Sequence, residues 1–261
     1  MASAETLGVL GLDHATLVVP DLAAAIATYE TLFAQGCTGR GSAEGLDWAC
    51  FALANTALVL VTPGAQATHM APVPAGLGAL AFAVAEPERS ARLLERRGLP
   101  GAGPALPWLA GPAVPLSPEA ARGLHLALTA PRPAAAPSTT RLDHLVVRSA
   151  DPERSLALFG GRLGLELRLD RSAPAWGTRF LFFRFGDTVL EVTHALADGV
   201  SDAPDALWGV TWGAADVAAT HARLEAAGLP VSPLRSGRKP GTRIFTLRQN
   251  AGGVPTAFIG A

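Results

Sequence analysis

The chain has 261 residues, of which 49% are hydrophobic and 16% charged, so it has ample apolar material for a core and is not intrinsically disordered. Its 21 Lys and Arg against 22 Asp and Glu give a formal net charge of −1, which argues against a nucleic-acid-binding protein. No apolar run approaches the roughly 20 residues of a membrane-spanning helix, and the first residues lack a secretory signal pattern. Two cysteines without a CxxC pair are typical of a reducing compartment, so we expect a cytoplasmic protein.

An internal repeat is the strongest pattern in the sequence. The segment LDHATLVV, which begins at Leu12, is matched by LDHLVV, which begins at Leu142. Seven residues after each His stands an acidic residue, Asp21 or Asp151. Because an Asp side chain accepts hydrogen bonds from the first N–H groups of a helix, both positions predict the start of a helix.

A second pair of segments extends the repeat. FALANTALVL from Phe51 aligns without a gap with FRFGDTVLEV from Phe183, at an offset of 132 residues compared with 130 for the first pair. A long unit is therefore duplicated. The Pro-, Ala- and Ser-rich stretch 131–140 is predicted to link a first copy, residues 8–130, to a second copy, residues 141–261.

Each copy divides further into two modules of strand, helix and more strands. Helices are predicted over Leu22–Phe33 and Pro87–Arg97 in the first copy and over Pro152–Leu163 and Asp216–Ala227 in the second. The second and fourth of these helices run into the sequence Gly-Leu-Pro, which stops a helix. The chain therefore consists of four modules, and its class is predicted to be α+β.

Strand alternation predicts a polar pair in the second copy. His144 lies on the face of its strand opposite to the neighbouring apolar residues, and Glu191 does the same on a later strand. If helices cover the apolar faces, both side chains project from the open side of one sheet. An imidazole and a carboxylate there suit a divalent cation or acid–base chemistry, although a structural His–Glu hydrogen bond satisfies both groups as well.

These modules, with LDH on the first strand, resemble the vicinal oxygen chelate superfamily, which includes glyoxalase-like, bleomycin-resistance-like and extradiol dioxygenase proteins. LDHATLVVPDLAAAIATYETLF and FALANTALVLVTP resemble the glyoxalase-like branch in particular. The resemblance covers nearly the whole chain. It implies four βαβββ-type modules that form two glyoxalase-like domains, each a curved mixed sheet around a cup, with up to four metal ligands per domain.

Carried over to this sequence, the implied metal positions hold few ligands. One of four positions in the first domain and two of four in the second carry a suitable side chain. The positions are His14, Val59, about Ala79 and about Ala127 in the first domain, and His144, Glu191, about Gly209 and about Ala257 in the second. Extradiol dioxygenases take a His and a Glu from the final module, whose one His, His221, falls on the predicted helix, so the resemblance disfavours that chemistry.

Five further residues are candidates for contact with a ligand. A basic loop contains the one lysine of the chain between two glycines, and it suits a carboxylate or phosphate group or is simply a solvated hairpin. Arg179 and Trp208 lie on predicted strands, where their side chains either contact the ligand or pack against other side chains of the protein. The ligand-binding candidates are Arg179, Trp208, Arg238, Lys239 and Arg243.

Two functions remain open at this point. The first is a metal-dependent lyase or isomerase acting on a small carbonyl or enolisable substrate, with His144 and Glu191 as catalytic residues and as ligands of Zn, Ni, Mn or Fe. The second is a metal-free protein that binds a small, partly apolar, anionic molecule, as the bleomycin-resistance-like resemblance implies. The ligand count favours the second. We expect a monomer or homodimer with a small-molecule ligand and no nucleic-acid or membrane partner.

Overall fold

The structure is a computed structural model that describes residues 7–43, 45–63, 75–103, 113–132 and 138–261. In these ranges the chain forms two mixed sheets of seven and eight strands, with short helices. The predicted α+β class is confirmed. In the described parts of the chain, none of the helices combines the length and apolar character that crossing a membrane requires.

The first sheet comes from the first copy. Its strands are β1 (Val9–Val18), β2 (Gly39–Ala43), β3 (Leu46–Ala52), β4 (Ala57–Pro63), β5 (Gly76–Val84), β6 (Ala113–Pro115) and β7 (His125–Thr129). Their order across the sheet is β2-β3-β4-β1-β5-β7-β6. The first and last strands of each module pair in parallel, β1 with β4 and β5 with β7. The region 99–118 is rich in Pro and Gly, which predicts eroded middle strands in the second module, and residues 104–112 of it lie outside the described residues.

The second sheet comes from the second copy. Its strands are β8 (Thr140–Arg148), β9 (Glu166–Ala173), β10 (Thr178–Phe185), β11 (Thr188–Ala195), β12 (Ala206–Ala214), β13 (Arg235–Ser236), β14 (Arg243–Thr246) and β15 (Thr256–Gly260). Their order is β13-β14-β15-β12-β8-β11-β10-β9. Strands β9, β10 and β11 form an antiparallel meander, and β12 pairs with β15 in parallel.

Helices occur where the sequence predicts them. They are α1 (Leu22–Phe33), α2 (Pro87–Arg96), α3 (Pro152–Ser155) and α4 (Val217–Ala226). The predicted third helix is α-helical only over its first four residues and continues as a π-helix over Leu156–Arg162. The backbone N–H of Leu163 bonds to the carbonyl of Leu158 at 3.0 Å, which is the five-residue spacing of a π-helix.

Acidic caps start three of these helices. Asp21 accepts a hydrogen bond from the backbone N–H of Ala24, and Asp216 begins α4 in the same way. Asp151 accepts from two backbone N–H groups, those of Glu153 and Arg154. The two caps predicted from the repeat are confirmed.

Backbone packing divides the described chain into two compact units that do not coincide with the two sheets. Unit 1 comprises the described parts of Met1–Asp13, Ala79–Pro133 and Val146–Leu207, and unit 2 those of His14–Gly78, Ala134–Leu145 and Trp208–Ala261. The domain bounds 8–130 and 141–261 stay a prediction.

Each unit has its own aromatic core. In unit 1 the ring centroids of Phe82 and Phe185 lie 5.4 Å apart. In unit 2 Phe33 of α1 meets Trp212 edge-on at 5.0 Å, and both side chains are buried. The guanidinium of Arg223 donates to the carbonyl of Leu32 at 2.9 Å. A cation from α4 therefore satisfies a backbone carbonyl at the C-terminal end of α1 that has no partner within the helix.

Candidate functional site

The hairpin formed by β10 and β11 buries one of its two faces. Leu181 pairs with Val192 and Phe183 with Leu190, and all four side chains are fully buried. The ring of Phe159 in the π-helix lies 5.7 Å from that of Phe183. The helical segment therefore covers this face, as alternation along the strands predicts.

The opposite face of the hairpin carries Glu191 among apolar side chains. Glu191 pairs directly with Phe182, and Thr193 pairs with Phe180. Leu169 of β9 flanks Phe182 on the other side and is 37% exposed. Residues directly opposite each other in such a sheet have Cβ atoms about 5 Å apart. We call these five residues the Glu191 face, and the predicted orientation of Glu191 away from Leu190 and Val192 is confirmed.

Aromatic rings run along this face. The centroids of Phe180 and Phe182 are 6.3 Å apart, and Trp176 meets Phe180 edge-on at 6.0 Å. Trp176 is 53% exposed, while Phe182 and Glu191 are partly exposed. Phe180 and Phe182 are not among the site residues that the sequence predicts. Their alternation is visible in FLFFRF, but only the register with β11 places them beside Glu191.

His144 is oriented by its neighbour in the sequence. Its Nδ1 lies 2.9 Å from a carboxylate oxygen of Asp143, and Arg141 lies 3.1 Å from the other oxygen. The hydrogen bond from His144, aided by the charges of His144 and Arg141, lowers the pKa of the Asp143 carboxyl although partial burial opposes the shift. This carboxylate fixes the imidazole with Nδ1 as the donor, the arrangement that orients a histidine acting through Nε2.

The predicted pairing of His144 with Glu191 stays a prediction. His144 belongs to compact unit 2 and Glu191 to compact unit 1. Within the described ranges, no three His, Cys, Asp or Glu side chains form a group that suits a metal ion. Catalytic zinc sites use three protein ligands, and the residues that the structure describes do not supply such a set.

Arg179 lies on the other face of β10 from Phe180 and Phe182. Its guanidinium donates two hydrogen bonds to Asp170, at 2.9 and 2.7 Å, and one to Glu153 at 2.8 Å. These partners raise the pKa of Arg179 and lower that of Asp170. The ion pairs join α3 to the edge of the sheet, and a role of Arg179 in ligand binding stays a prediction.

The basic loop is a solvent-exposed turn between β13 and β14. The backbone N–H of Gly237 bonds to the carbonyl of Thr242 at 2.7 Å, and the side chains of Arg238, Lys239 and Arg243 are exposed. Trp208 is 37% exposed at the start of β12, whereas Trp212 is fully buried. Contact of the loop or of Trp208 with a ligand stays a prediction.

Comparisons with known proteins agree with the resemblance seen in the sequence. Residues 143–246 match the family model described as Glyoxalase/Bleomycin resistance protein/Dioxygenase superfamily. No curated protein matches the sequence.

Several solved structures are similar to this chain at low sequence identity. A triple mutant of 4-hydroxymandelate synthase from Streptomyces coelicolor is 13% identical, with a TM-score of 0.67 over 97% of this chain and 93% of that chain. Methylmalonyl-CoA epimerase from Mycobacterium tuberculosis is 18% identical over 46% of this chain and 86% of its own, with a TM-score of 0.38. A hypothetical protein from Bacillus halodurans is 17% identical over 47% and 95%, with a TM-score of 0.40.

The first of these likenesses spans almost the whole chain and concerns the fold alone. The family match covers the part of the sequence that contains His144, Glu191 and the basic loop. Residues 143–246 therefore match the model of the glyoxalase, bleomycin resistance and dioxygenase superfamily, which confirms the resemblance predicted from the sequence for that part of the chain.

Proposed function

We propose that the protein binds a small, partly apolar molecule on the Glu191 face without a tightly held metal ion. The supporting observation is the composition of that face, in which Phe182 pairs directly with Glu191 and is flanked on its other side by Leu169. Small-molecule sites combine a mostly apolar surface with a few placed polar groups. The opposite face of the same hairpin is buried under the helix, so the Glu191 face is the side of the hairpin available to a ligand.

Different residues of the Glu191 face contact different parts of the ligand in this proposal. Phe182, which is partly exposed, offers its ring to an aromatic or aliphatic group of the ligand, and the buried ring of Phe180 lies beside it. The carboxylate of Glu191 accepts a hydrogen bond from an ammonium or hydroxyl group. Thr193, paired with Phe180 one step along the hairpin, supplies a second polar contact.

A thermal unfolding titration tests the proposal with 2-phenylethylamine, which joins an aromatic ring to an ammonium group. We expect stabilisation that EDTA does not change, and a ligand at one hundred times its Kd stabilises by about 2.7 kcal/mol. Phe182→Ala and Glu191→Gln should each remove most of it. Arg168→Gln, an exposed change on β9, is the matched control and should leave it intact.

Stabilisation by an anionic ligand instead of the amine would point to a different ligand chemistry. Stabilisation by 3-phenylpropionate but not by the amine, lost in Lys239→Ala, would contradict the role of Glu191. It would support the anionic ligand and the basic loop that the sequence predicts. Equal stabilisation of the parent and Phe182→Ala by the amine would also contradict the proposal.

A second candidate function is proton transfer on an enolisable carbonyl substrate, and the Asp143–His144 hydrogen bond favours it. In this lyase or isomerase reaction, His144 takes a proton from the carbon beside the carbonyl, and an enolate forms. Asp143 stabilises the resulting imidazolium, which exchanges its proton with solvent and then protonates a carbon of the enolate. Deuterium uptake by dihydroxyacetone in D₂O, followed by NMR, should then exceed the buffer rate and fall to it in His144→Gln.

Elemental analysis distinguishes the metal-free proposals from a metal-dependent enzyme. Protein purified without a metal-affinity column should contain no near-stoichiometric Zn, Ni, Mn or Fe. A near-stoichiometric metal that is lost in both His144→Ala and Glu191→Ala would contradict the metal-free binding proposal. It would instead support the metal-dependent lyase or isomerase.

A further inference from the structure

A cleft in compact unit 1 lies apart from the Glu191 face and is lined by arginines. Its volume is about 340 Å³, within the range of about 300–1,000 Å³ that small-molecule sites occupy. Three of its lining side chains are arginines and one is a glutamate. The lining residues are Gly98, Glu119, Ala120, Arg122, Arg154, Ala157, Leu158 and Arg162.

The arginines of the cleft are held in place by backbone and carboxylate partners. Arg162, at the end of the π-helix, donates to the carbonyl of Ala120 at 3.1 Å, while its own carbonyl accepts from Arg97 at 2.8 Å. Arg154 donates to the carbonyl of Ser201 at 2.6 Å, and its side chain is only 18% exposed. Guanidinium groups fixed in this way lose little side-chain freedom when an anion binds.

One carboxylate already contacts two of these arginines. An oxygen of Asp202 lies 2.8 Å from Arg154 and 3.6 Å from Arg122. The Asp202 side chain is fully exposed, so its competition for the guanidinium groups is weak and reversible. It marks the place where an anionic oxygen is stabilised between the two arginines.

We propose that this cleft binds a phosphate monoester of a small organic molecule. At neutral pH such a group carries about −1.5 to −2 charges and three acceptor oxygens, which match the two guanidinium groups that meet at Asp202 better than a single carboxylate does. Ala157 and Leu158 provide an apolar wall for the organic part. Glu119 lowers the positive charge of the lining and disfavours ligands with additional negative groups.

Arg122 provides a variant that removes a guanidinium without straining the fold. Its φ of +62° lies in the left-handed region, which glycine adopts without steric cost. Arg122→Gly therefore retains the backbone conformation, and the hydrogen bond from the Asp205 N–H to the carbonyl of residue 122 is a backbone bond that remains. Asp202→Asn removes the competing charge from the same place.

Isothermal titration calorimetry at fixed ionic strength, with glycerol 3-phosphate, inorganic phosphate and succinate as probes, tests the proposal. Both phosphates should bind the parent protein, and succinate should bind at least about tenfold more weakly. Arg122→Gly should weaken glycerol 3-phosphate binding by about tenfold or more, because a hydrogen bond to a charged group is lost. Asp202→Asn should tighten it, and the control Arg168→Gln should leave it unchanged.

Several outcomes would overturn the proposal. They are the absence of phosphate binding by the parent, tighter binding of succinate than of phosphate, and an affinity of Arg122→Gly within about threefold of the parent. Weaker binding in Asp202→Asn would overturn it too, because Asp202 would then support the site instead of competing for it. Circular dichroism melts of each variant confirm that the comparison is made on folded protein.

Discussion

The tripeptide Leu-Asp-His occurs once in each copy of the repeat, yet its surroundings differ. In the first copy Asp13 forms an ion pair with Arg132 at 2.9 Å, and His14 is 1% exposed. In the second copy Asp143 bonds to His144, whose side chain is 21% exposed. The same residues are thus buried in one copy and accessible in the other.

The positions that align as Val59 and Glu191 show the same contrast. Val59 is 2% exposed and pairs with Cys50, whereas Glu191 is partly exposed and pairs with Phe182. At this aligned position the side chain of the first copy is apolar and buried, and that of the second copy is polar and accessible. A duplicated motif therefore predicts a duplicated fold, but not a duplicated site.

Placing the polar residue of the second copy in the first should have the largest effect. Val59→Glu puts a carboxylate into a buried strand, and we expect a loss of about 3 kcal/mol or more in unfolding free energy. Urea denaturation measures it. Val59→Thr, which has the same shape without a charge, is the control and should cost about 1–2 kcal/mol. A loss below about 1 kcal/mol for Val59→Glu would show that the first copy is open at this position.

Removal of either helix cap should cost less unfolding free energy than Val59→Glu, and the two caps should differ in this cost. Asp151 accepts two backbone N–H groups and Asp21 accepts one. We expect Asp151→Ala to cost up to about 2 kcal/mol and Asp21→Ala about 1 kcal/mol, both from urea denaturation. Asp151→Asn and Asp21→Asn keep an acceptor oxygen and serve as matched controls. An equal or larger cost for Asp21→Ala would contradict this ranking.

The pH dependence of stability should reveal Asp143. Because its pKa is lowered in the folded state, its contribution is fully present above the unfolded pKa of about 3.9 and is lost as pH falls through the lower folded value. The contribution should stay below about 1 kcal/mol for a partly exposed pair. Urea midpoints measured between pH 6 and pH 2.5, at about half-unit steps, should show a loss that is smaller in Asp143→Asn. An identical acid dependence of both proteins would contradict it.

The reciprocal of the first change should have the smallest effect on stability. Glu191→Val exchanges a partly exposed carboxylate for an apolar side chain that suits the strand, and we expect a change within about 0.5 kcal/mol. The same urea titration measures it. A loss as large as that of Val59→Glu would mean that Glu191 is structural, and the contrast between the copies would then fail.

Local signals predicted much of the secondary structure. The bounds of α1 agree with the prediction, because Asp21 caps its first turn and the apolar pattern continues to Phe33. The π-helix was not predicted, since an apolar pattern with Gly160 and Gly161 fits α- and π-helical spacing almost equally well over one or two turns. Strand alternation placed Glu191 on its face, because side chains in a strand alternate whatever the rest of the chain does.

By itself, the sequence determined the repeat, the class of the fold and the helix caps, because each can be recognised in short continuous segments without knowing which distant residues come into contact. Only the tertiary structure decided which side chains surround Glu191 and which arginines line one cleft. Phe182 reaches Glu191 through strand register, and Arg122 reaches Arg154 through packing of distant segments. Such neighbours depend on long-range pairing, and a shift of one residue in register would send every side chain of a strand to the other face.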